Sequence, residues 1–413
     1  MPTSKQDFDI LIAGSGFTGL TLVSALAFTF NSKLKIGLLD PNPDQYIKYQ
    51  KSRAFAISAT SVRMLDTLGL WHELSAQAQP INKIEITDTP LEAGVRPVLL
   101  NYSNKLRNGD PASFIVPSKA LASLISENTR NLSNVEILPL KDCKDILLQT
   151  NNISLNFDIG LKLSAKLLLC AEGRESVLRQ KMGIKSVDYI HKQTGIVTNI
   201  THERPHKGTA IQHFLPSGPF ASLPLPGGNR SSITWSEEEN HACRILNMRD
   251  EDFVKEVDIR LGGKWGAISI DGLRSGFPLK TQLARRFIAP RFALVGDTAH
   301  SVHPIAGQGL NLAFRDIAAL CECLIDGKRI GLEISDSTIL ERYERWRRFD
   351  VACNANGFAT LNRLFSNNST FVRSFREFGL SFIDRLPGLK AYIVDEAAGL
   401  NGCLPKLMKG ISI

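Results

Sequence analysis

Residues Arg291–Asp316 read RFALVGDTAHSVHPIAGQGLNLAFRD, and the rest of the chain is organised around what this stretch delivers. Phe292–Val295 is a short apolar run of the kind that forms a buried strand. Gly296-Asp297 ends it, a loop carries His300, His303 and Pro304, and Gly307-Gln308-Gly309 opens a helix. In that helix Leu310, Ala313, Phe314, Ile317, Ala318 and Cys321 recur with the period of one buried face. A strand therefore hands an aspartate to a loop, and the loop hands on a glycine-lined helix N-terminus. The aspartate can accept hydrogen bonds from hydroxyls. The helix N-terminus offers free N–H groups and partial positive charge to an electron-rich group. Alone, this could be the last crossover of any α/β sheet.

A second glycine-rich site narrows the reading. Phe8–Ala13 (FDILIA) is a strand candidate that runs into Gly14-Ser15-Gly16-Phe17-Thr18-Gly19. A helix with Leu20, Val23, Ser24 and Ala27 on one side follows, then a second strand over Leu34–Leu39 that ends at Asp40. Strand, GxGxxG, helix, strand and acid in this order form a dinucleotide-binding unit. Gly14 permits the tight turn, Gly16 lets the backbone approach a pyrophosphate, and Gly19 lets helix and strand pack closely. Asp40 can take ribose hydroxyls. After Asp40 the chain does not continue with regular βαβ units, as a nicotinamide dehydrogenase would. It goes instead to Arg53, which could pair with phosphate or carboxylate or form a surface salt bridge, and to a helix over Ser61–Leu68.

Composition sets the bounds. A chain of 413 residues with 43% hydrophobic and 22% charged residues suits a soluble globular enzyme of one large or two medium domains. No apolar run approaches the ~18 residues of a membrane span, and the N-terminus lacks a signal-peptide layout, so a cytoplasmic location is expected. Seven cysteines form no CxxC and no paired framework, which suits reduced thiols. The net charge is +8, and from Lys328 onward 13 Lys and Arg stand against 9 Asp and Glu. That surplus suits an anionic partner such as a membrane surface or an acidic protein, although a solvated charged face is the plainer reading. No nucleic-acid signature accompanies it.

Between the two sites, a helix is expected over Ser118–Asn131, with strands near Val135–Leu138, Ile146–Leu148 and Ile153–Phe157. Lys166–Cys170 is a further strand that ends in Ala171-Glu172-Gly173-Arg174, again an acid and a glycine before a helix start. From Gly195 to Ser236 the pattern turns to short alternating strands separated by Gly-Pro and Gly-Gly, an antiparallel sheet set into an α/β chain. Helix returns over 251–262 and from about Asp316 onward.

With these residues in hand the chain resembles the flavoprotein aromatic hydroxylases, the para-hydroxybenzoate hydroxylase group, and within it the ubiquinone-biosynthesis hydroxylases. The motif at Gly14–Gly19 with Asp40, the strand-to-turn at Ala171–Arg179, and above all HPIAGQGLNLAFRD carry the resemblance. Gly218–Leu225 and Gly399–Pro405 are similar to the group's substrate strand and to the branch's C-terminal end. The implied fold is α/β with an α+β insert: a Rossmann-like FAD-binding domain, an inserted antiparallel-sheet substrate domain and C-terminal helices. The expected layout is residues 1–75, 102–182 and 283–360 for FAD, 76–101 and 183–282 for substrate, and a helical region over 361–413.

The resemblance implies FAD as cofactor and NADPH or NADH as co-substrate. It places Gly14, Gly16 and Gly19 on the pyrophosphate and Asp40 on the adenosine ribose. Arg53 goes to the flavin side, and Gly296 and Asp297 to the ribityl chain. Gly307 and the backbone of Gly309, Leu310 and Asn311 go to the flavin edge, and Pro304 beside the ring. It implies hydroxylation of the aromatic ring of a polyprenylated phenol by O₂ through a C4a-hydroperoxyflavin. The cofactor supplies the hard chemistry, and the protein positions and shields. Glu172, with Gly173, stands where the family has Asp-Gly, a motif tied to FAD and NAD(P)H. The helix at Ser118 lacks the group's Arg. Pro304 and His303 are the candidate catalytic residues; a structural role for His300 and His303 competes, and their spacing is a poor metal signature. Phe371, Phe375, Phe378, Phe382 and Leu386, interleaved with Arg373, Arg376 and Arg385, suit either a core stripe or a basic amphipathic element on a membrane surface. Competing readings are another flavoprotein of this fold, such as a prenyl reductase, or a non-catalytic flavoprotein assembled with other ubiquinone-biosynthesis proteins.

Overall fold

The computed structural model describes residues 5–43, 53–91, 97–141, 143–158, 160–303, 307–365 and 386–413. The chain begins with β1 (Lys5–Ala13), α1 (Phe17–Thr29) and β2 (Ile36–Leu39). β3 (Ala54–Ser58), α2 (Ala59–Thr67) and α3 (Trp71–Ser75) follow, then β4 (Gln79–Pro80), β5 (Lys83–Thr87), β6 (Leu100–Ser103) and β7 (Ser113–Pro117). Next come α4 (Ser118–Arg130), β8 (Val135–Leu138), β9 (Cys143–Leu148), β10 (Ile153–Phe157) and β11 (Lys162–Cys170). α5 (Val177–Lys181) leads to β12 (Ser186–His202), β13 (Thr209–His213), β14 (Phe220–Pro224) and β15 (Arg230–Glu238). α6 (Glu239–Leu246), α7 (Asp250–Leu261), β16 (Ile268–Ile270) and β17 (Ser275–Ala284) complete the insert. The chain closes with β18 (Ile288–Ala289), β19 (Phe292–Leu294), β20 (His300–Ser301), α8 (Gly309–Arg329), α9 (Ser337–Phe365) and α10 (Pro387–Ala397).

Three sheets organise these elements. The first has the order β18-β19-β11-β1-β2-β8, parallel from β19 to β8, with the β9–β10 hairpin added antiparallel beside β11. Its central strands are continuous apolar runs because both faces are covered: Ile10, Leu11, Ile12, Leu167, Leu168 and Leu169 are all fully buried. α1 is enclosed too. It packs against α4 and α8, and eleven of its thirteen residues are buried. This explains why α1 is apolar nearly all round rather than on one stripe.

The second sheet has nine strands, in the order β20-β17-β12-β15-β14-β13-β5-β6 with β16 on β12. It is antiparallel except for one pair: β5 joins β13 parallel, Lys83 beside Thr209 through Thr87 beside His213. The antiparallel sheet expected over Gly195–Ser236 is present in β12–β15, and the added β5 makes the whole sheet mixed. The physical reason is that β5 and β6 arrive from an earlier part of the chain rather than by a hairpin from β13. A small third sheet, β3-β7-β4, lies at the junction. Ile81 and Ile115 from that junction pack with Ala210 and Leu225 of the large sheet. Of the aromatic–basic stripe expected from Phe371 to Leu386, all but Leu386 lies outside the described residues.

Candidate functional site

The two glycine-rich sites meet across the first sheet. Gly14 leaves β1 at φ +103°, a conformation open to glycine, and a Cβ there would sit 2.4 Å from the Ala171 carbonyl oxygen. At Gly19 a Cβ would lie 1.8 Å from the Gly14 carbonyl oxygen. The turn and the first coil of α1 therefore touch backbone to backbone. Gly16 is the N-cap of α1 and provides no side-chain cap, and the first turn carries no acid. The orphan N–H groups of that turn are left for a ligand. Asp40 closes the end of β2. Its two oxygens accept the backbone N–H groups of Ser15 (2.8 Å) and Asn42 (2.8 Å), and each keeps a lone pair for a further donor.

At the other site β19 ends in a short 3₁₀ turn over Gly296–Thr298. Gly296 has φ +63°, and its Cβ would press on Thr18 of α1 at 2.9 Å. This turn holds Asp297 at the wall of a large cavity. Crowding by the surrounding protein raises the Asp297 carboxyl above its ordinary value, against the pull of His300, Arg174 and Arg53, while its side chain stays accessible from the cavity. α8 then starts at Gly309 behind Gln308, again with no side-chain cap and no acid in its first turn. A Cβ on Gly309 would meet open space. Two uncapped helix N-termini thus open on one cavity.

That cavity has a volume of about 1570 Å³, beyond the ~300–1,000 Å³ of a single small-molecule pocket. Its lining includes Gly14, Gly16, Asp40, Arg53, Glu172, Gly173, Asp297, Gly307, Gly309, Leu310 and Asn311 at one end. At the other it is lined by Ile84, Ile86, Leu100, Ile211, Phe214 and Leu223 of the mixed sheet. Arg53 lines the same wall, its guanidinium over the rings of Phe55 (4.9 Å) and Phe277 (5.5 Å). Gly19 and Gly296 lie behind this wall and set its shape. Pro304 lies outside the described residues.

Glu172 is accounted for by its reach. Its Oε2 accepts from the Ser176 hydroxyl (2.6 Å) and from the Leu178 N–H (3.0 Å), which caps α5. Ser176 Oγ in turn accepts the Arg179 N–H at 3.1 Å. The extra methylene spans the distance to the helix N-terminus, while Gly173 N–H donates to Thr298 Oγ1 (2.9 Å) and ties this turn to the Asp297 turn.

The histidines part company. His300 is buried and its Nε2 bonds Asp316 Oδ2 at 2.6 Å. Asp316 Oδ2 also accepts the Gly296 N–H (3.0 Å), and Oδ1 accepts from Arg347 Nε (2.7 Å). His300 therefore braces the 3₁₀ turn. His303 is 2% exposed and is not among the residues lining the cavity. Its Nε2 lies 3.4 Å from Gln193 Oε1, its ring meets His191 edge-on at 4.7 Å, and burial pushes its pKa down to about 3. The imidazole is thus packed against Gln193 and His191 of β12, the structural role that competes with a catalytic one for His303.

The sequence marks Asn311, Arg315 and the Gly399 turn as motif residues without showing what their side chains hold, and it contains no sign of the α10 wall. Arg315 donates to Asp350 (3.1 Å), to the Gly399 carbonyl and to the Asn401 carbonyl (3.5 Å), and so fastens the C-terminal turn to α8. Tyr392, Ile393, Glu396 and Ala397 of α10 complete the cavity wall. Asn311 anchors the start of α8: its Oδ1 accepts Ser58 N–H (3.0 Å) and Ser61 Oγ (2.8 Å), and its Nδ2 donates to Ala56 O (2.8 Å).

With this geometry in place, a family model described as an FAD binding domain matches residues 7–353. The chain is 35% identical over 408 residues to ubiquinone hydroxylase UbiL of Rhodospirillum rubrum, which covers 98% of this chain and 93% of that protein. It is 26% identical to the mitochondrial ubiquinone biosynthesis monooxygenase COQ6 of Homo sapiens, over 94% of this chain and 92% of that one. Among solved structures, p-nitrophenol 4-monooxygenase PnpA from Pseudomonas putida DLL-E4 shares the fold with a TM-score of 0.77 at 18% identity, covering 96% of this chain and 99% of that one.

Proposed function

The chain belongs to the FAD binding domain family, and on that premise we propose that it is an FAD-dependent monooxygenase that hydroxylates the aromatic ring of a polyprenylated phenol in ubiquinone biosynthesis. The observation that carries this is the single cavity that runs from two uncapped helix N-termini and two carboxylates to a wall of apolar side chains. The donor set fits FAD. We assign the α1 N-terminus at Gly14, Gly16 and Gly19 to the pyrophosphate and Asp40 to the adenosine ribose. Asp297 takes the ribityl hydroxyls, and the Gly309–Asn311 backbone takes the electron-rich edge of the ring system. When bound, FAD takes two electrons from NAD(P)H and activates O₂ for insertion into the ring.

The chain's own part is placement and shielding. The partial positive charge at the α8 N-terminus holds negative charge on a ligand edge without reorganisation. Arg53, over the rings of Phe55 and Phe277, places a cation on the cavity wall. The mixed sheet keeps water from the reacting ring, which protects the reaction from unproductive release of peroxide. The candidate partners are the phenol, O₂, other ubiquinone-biosynthesis proteins and a membrane surface. Among the described residues no helix is long and apolar enough to cross a membrane. We place the protein in the cytoplasm, peripheral on the inner face of the cell membrane.

The test is a spectrum of the purified protein, then NADPH under air with and without a prenylphenol. A band near ~450 nm, bleached faster with the phenol and accompanied by hydroxylated product, is expected. Asp297→Ala should weaken FAD binding ~10- to 100-fold, the value of a lost hydrogen bond to a charged group. A protein that takes up no FAD even when it is added in excess would end this reading.

A further inference from the structure

α10 presents two distinct faces. Val394 and Ala398 are buried with Ala59, Leu106 and Ala112. Thr60 fixes this side, its N–H and its hydroxyl both donating to the Ala398 carbonyl at 3.2 and 3.1 Å. Lys390 Nζ reaches the Asn101 carbonyl on β6 at 3.1 Å, so the helix is held against the mixed sheet at a set rotation. A second face is formed by Leu389, Ile393 and Ala397, spaced four residues apart, with Tyr392 on its flank and the extended N-cap residue Leu386 just before it. Ile393, Ala397 and Tyr392 line the cavity. Leu386 and Leu389, which precede them, are 39% and 37% exposed, and Tyr392 is 58% exposed. One apolar stripe therefore begins at the protein surface and ends at the cavity, where Glu396 lines the wall beside it.

A core helix would bury such a stripe along its whole length, and a surface helix would not carry it into a pocket. We infer that this stripe of α10 is the lane along which the hydrocarbon tail of the substrate leaves the cavity. Leu386 and Leu389 are then the residues that set preference for long-tailed over short-tailed phenols. The inference rests on the proposed substrate class. The cavity must hold both a dinucleotide and a ring, and a polyprenyl chain is too long to lie beside them. Each methylene left in water rather than against apolar surface is unfavourable, so the exit has to be lined. The stripe is continuous with the cavity, lies on an element locked in position, and carries no charged side chain between Leu389 and Ile393 on its own face.

The experiment compares two phenols, one with a farnesyl chain and one with a methyl group in its place, on the flavin-loaded wild type and on Leu389→Glu and Leu386→Ser. Neither residue lines the cavity, so the variants should keep wild-type flavin content, melting temperature and kinetics with the methylphenol. KM for the farnesylphenol should rise at least tenfold in Leu389→Glu and severalfold in Leu386→Ser, which introduces no charge. Equal changes for the two phenols, or no change for either, would overturn the lane while leaving the hydroxylase reading intact. A wild type that hydroxylates neither phenol would overturn the parent reading and the lane with it.

Discussion

α1 and α8 both end at the same cavity with bare N–H groups, yet they are held there by opposite means. α1 is positioned by what its sequence lacks: Gly19 and Gly14 bring backbone against backbone at a separation no Cβ permits. α8 is positioned by side chains. Asn311 uses both ends of its amide to grip Ala56, Ser58 and Ser61, and Arg315 grips Gly399 and Asp350. A contact made by absence tolerates no addition, whereas a contact made by side chains fails by subtraction and in graded steps.

Gly19→Ala should break the comparison most severely. Its new methyl has only main-chain atoms to displace, so a loss of about 3 kcal/mol in stability, the upper end for an inserted methyl, is expected. Flavin should be absent from the purified protein, read by absorbance and thermal unfolding. Retention of flavin by this variant would show that α1 can shift, and the contrast with α8 would be lost. Asn311→Ala comes next. It leaves the Ser58 N–H and the Ala56 carbonyl without this partner, at about 1–3 kcal/mol each, and it should weaken FAD binding while leaving a folded protein. A variant of Asn311 that binds FAD as well as wild type would mean that α8 is held by Arg315 alone.

The smallest effect sharpens the border between the two ends. His303 is held neutral with a pKa of about 3, against 6.5 for the free side chain. Between those values the unfolded chain binds a proton that the folded chain does not, so stability falls as pH is lowered through this window. The slope from this residue is at most about 1.4 kcal/mol per pH unit. Burial also lowers the pKa of His202 and His206, so the informative quantity is a difference. His303→Gln should show a shallower decline in melting temperature between pH 6.5 and 5 than wild type, with flavin reduction by NADPH unchanged. A changed reduction rate would return His303 to the chemistry.

What could be seen in the sequence follows the same division. The strand, glycine turn and acid at Gly14–Asp40 were legible because backbone constraints leave a residue pattern at fixed spacing. So was the strand that delivers Asp297. The side-chain latches were not. Arg347 sits in the run Arg345-Trp346-Arg347-Arg348, which reads as a solvated basic face, yet its side chain is fully buried between Asp316 and Asp350. Tyr343, Arg347 and Val351 share the inward face of α9 at steps of four, a spacing visible only once the helix is known to lie on the core. The parallel β5–β13 pair was hidden too, since a five-residue strand carries no mark of its partner's direction. Glu172 looked like a departure from a motif and proved to be a cap for α5 whose partner, Leu178, lies six residues on.

The grip of Arg315 on the Gly399 carbonyl spans 84 residues of sequence. A polypeptide made from its N-terminus exposes β1, α1 and the start of α8 well before that carbonyl exists. Until then Arg315 has no partner at that end, and Tyr392 and Ile393 are not yet there to wall the cavity. Residues 392–399 complete the cavity wall, and Leu407 and Met408 beyond them are buried in the main core, so a chain stopped just before Gly399 should lose cofactor retention and thermal stability together.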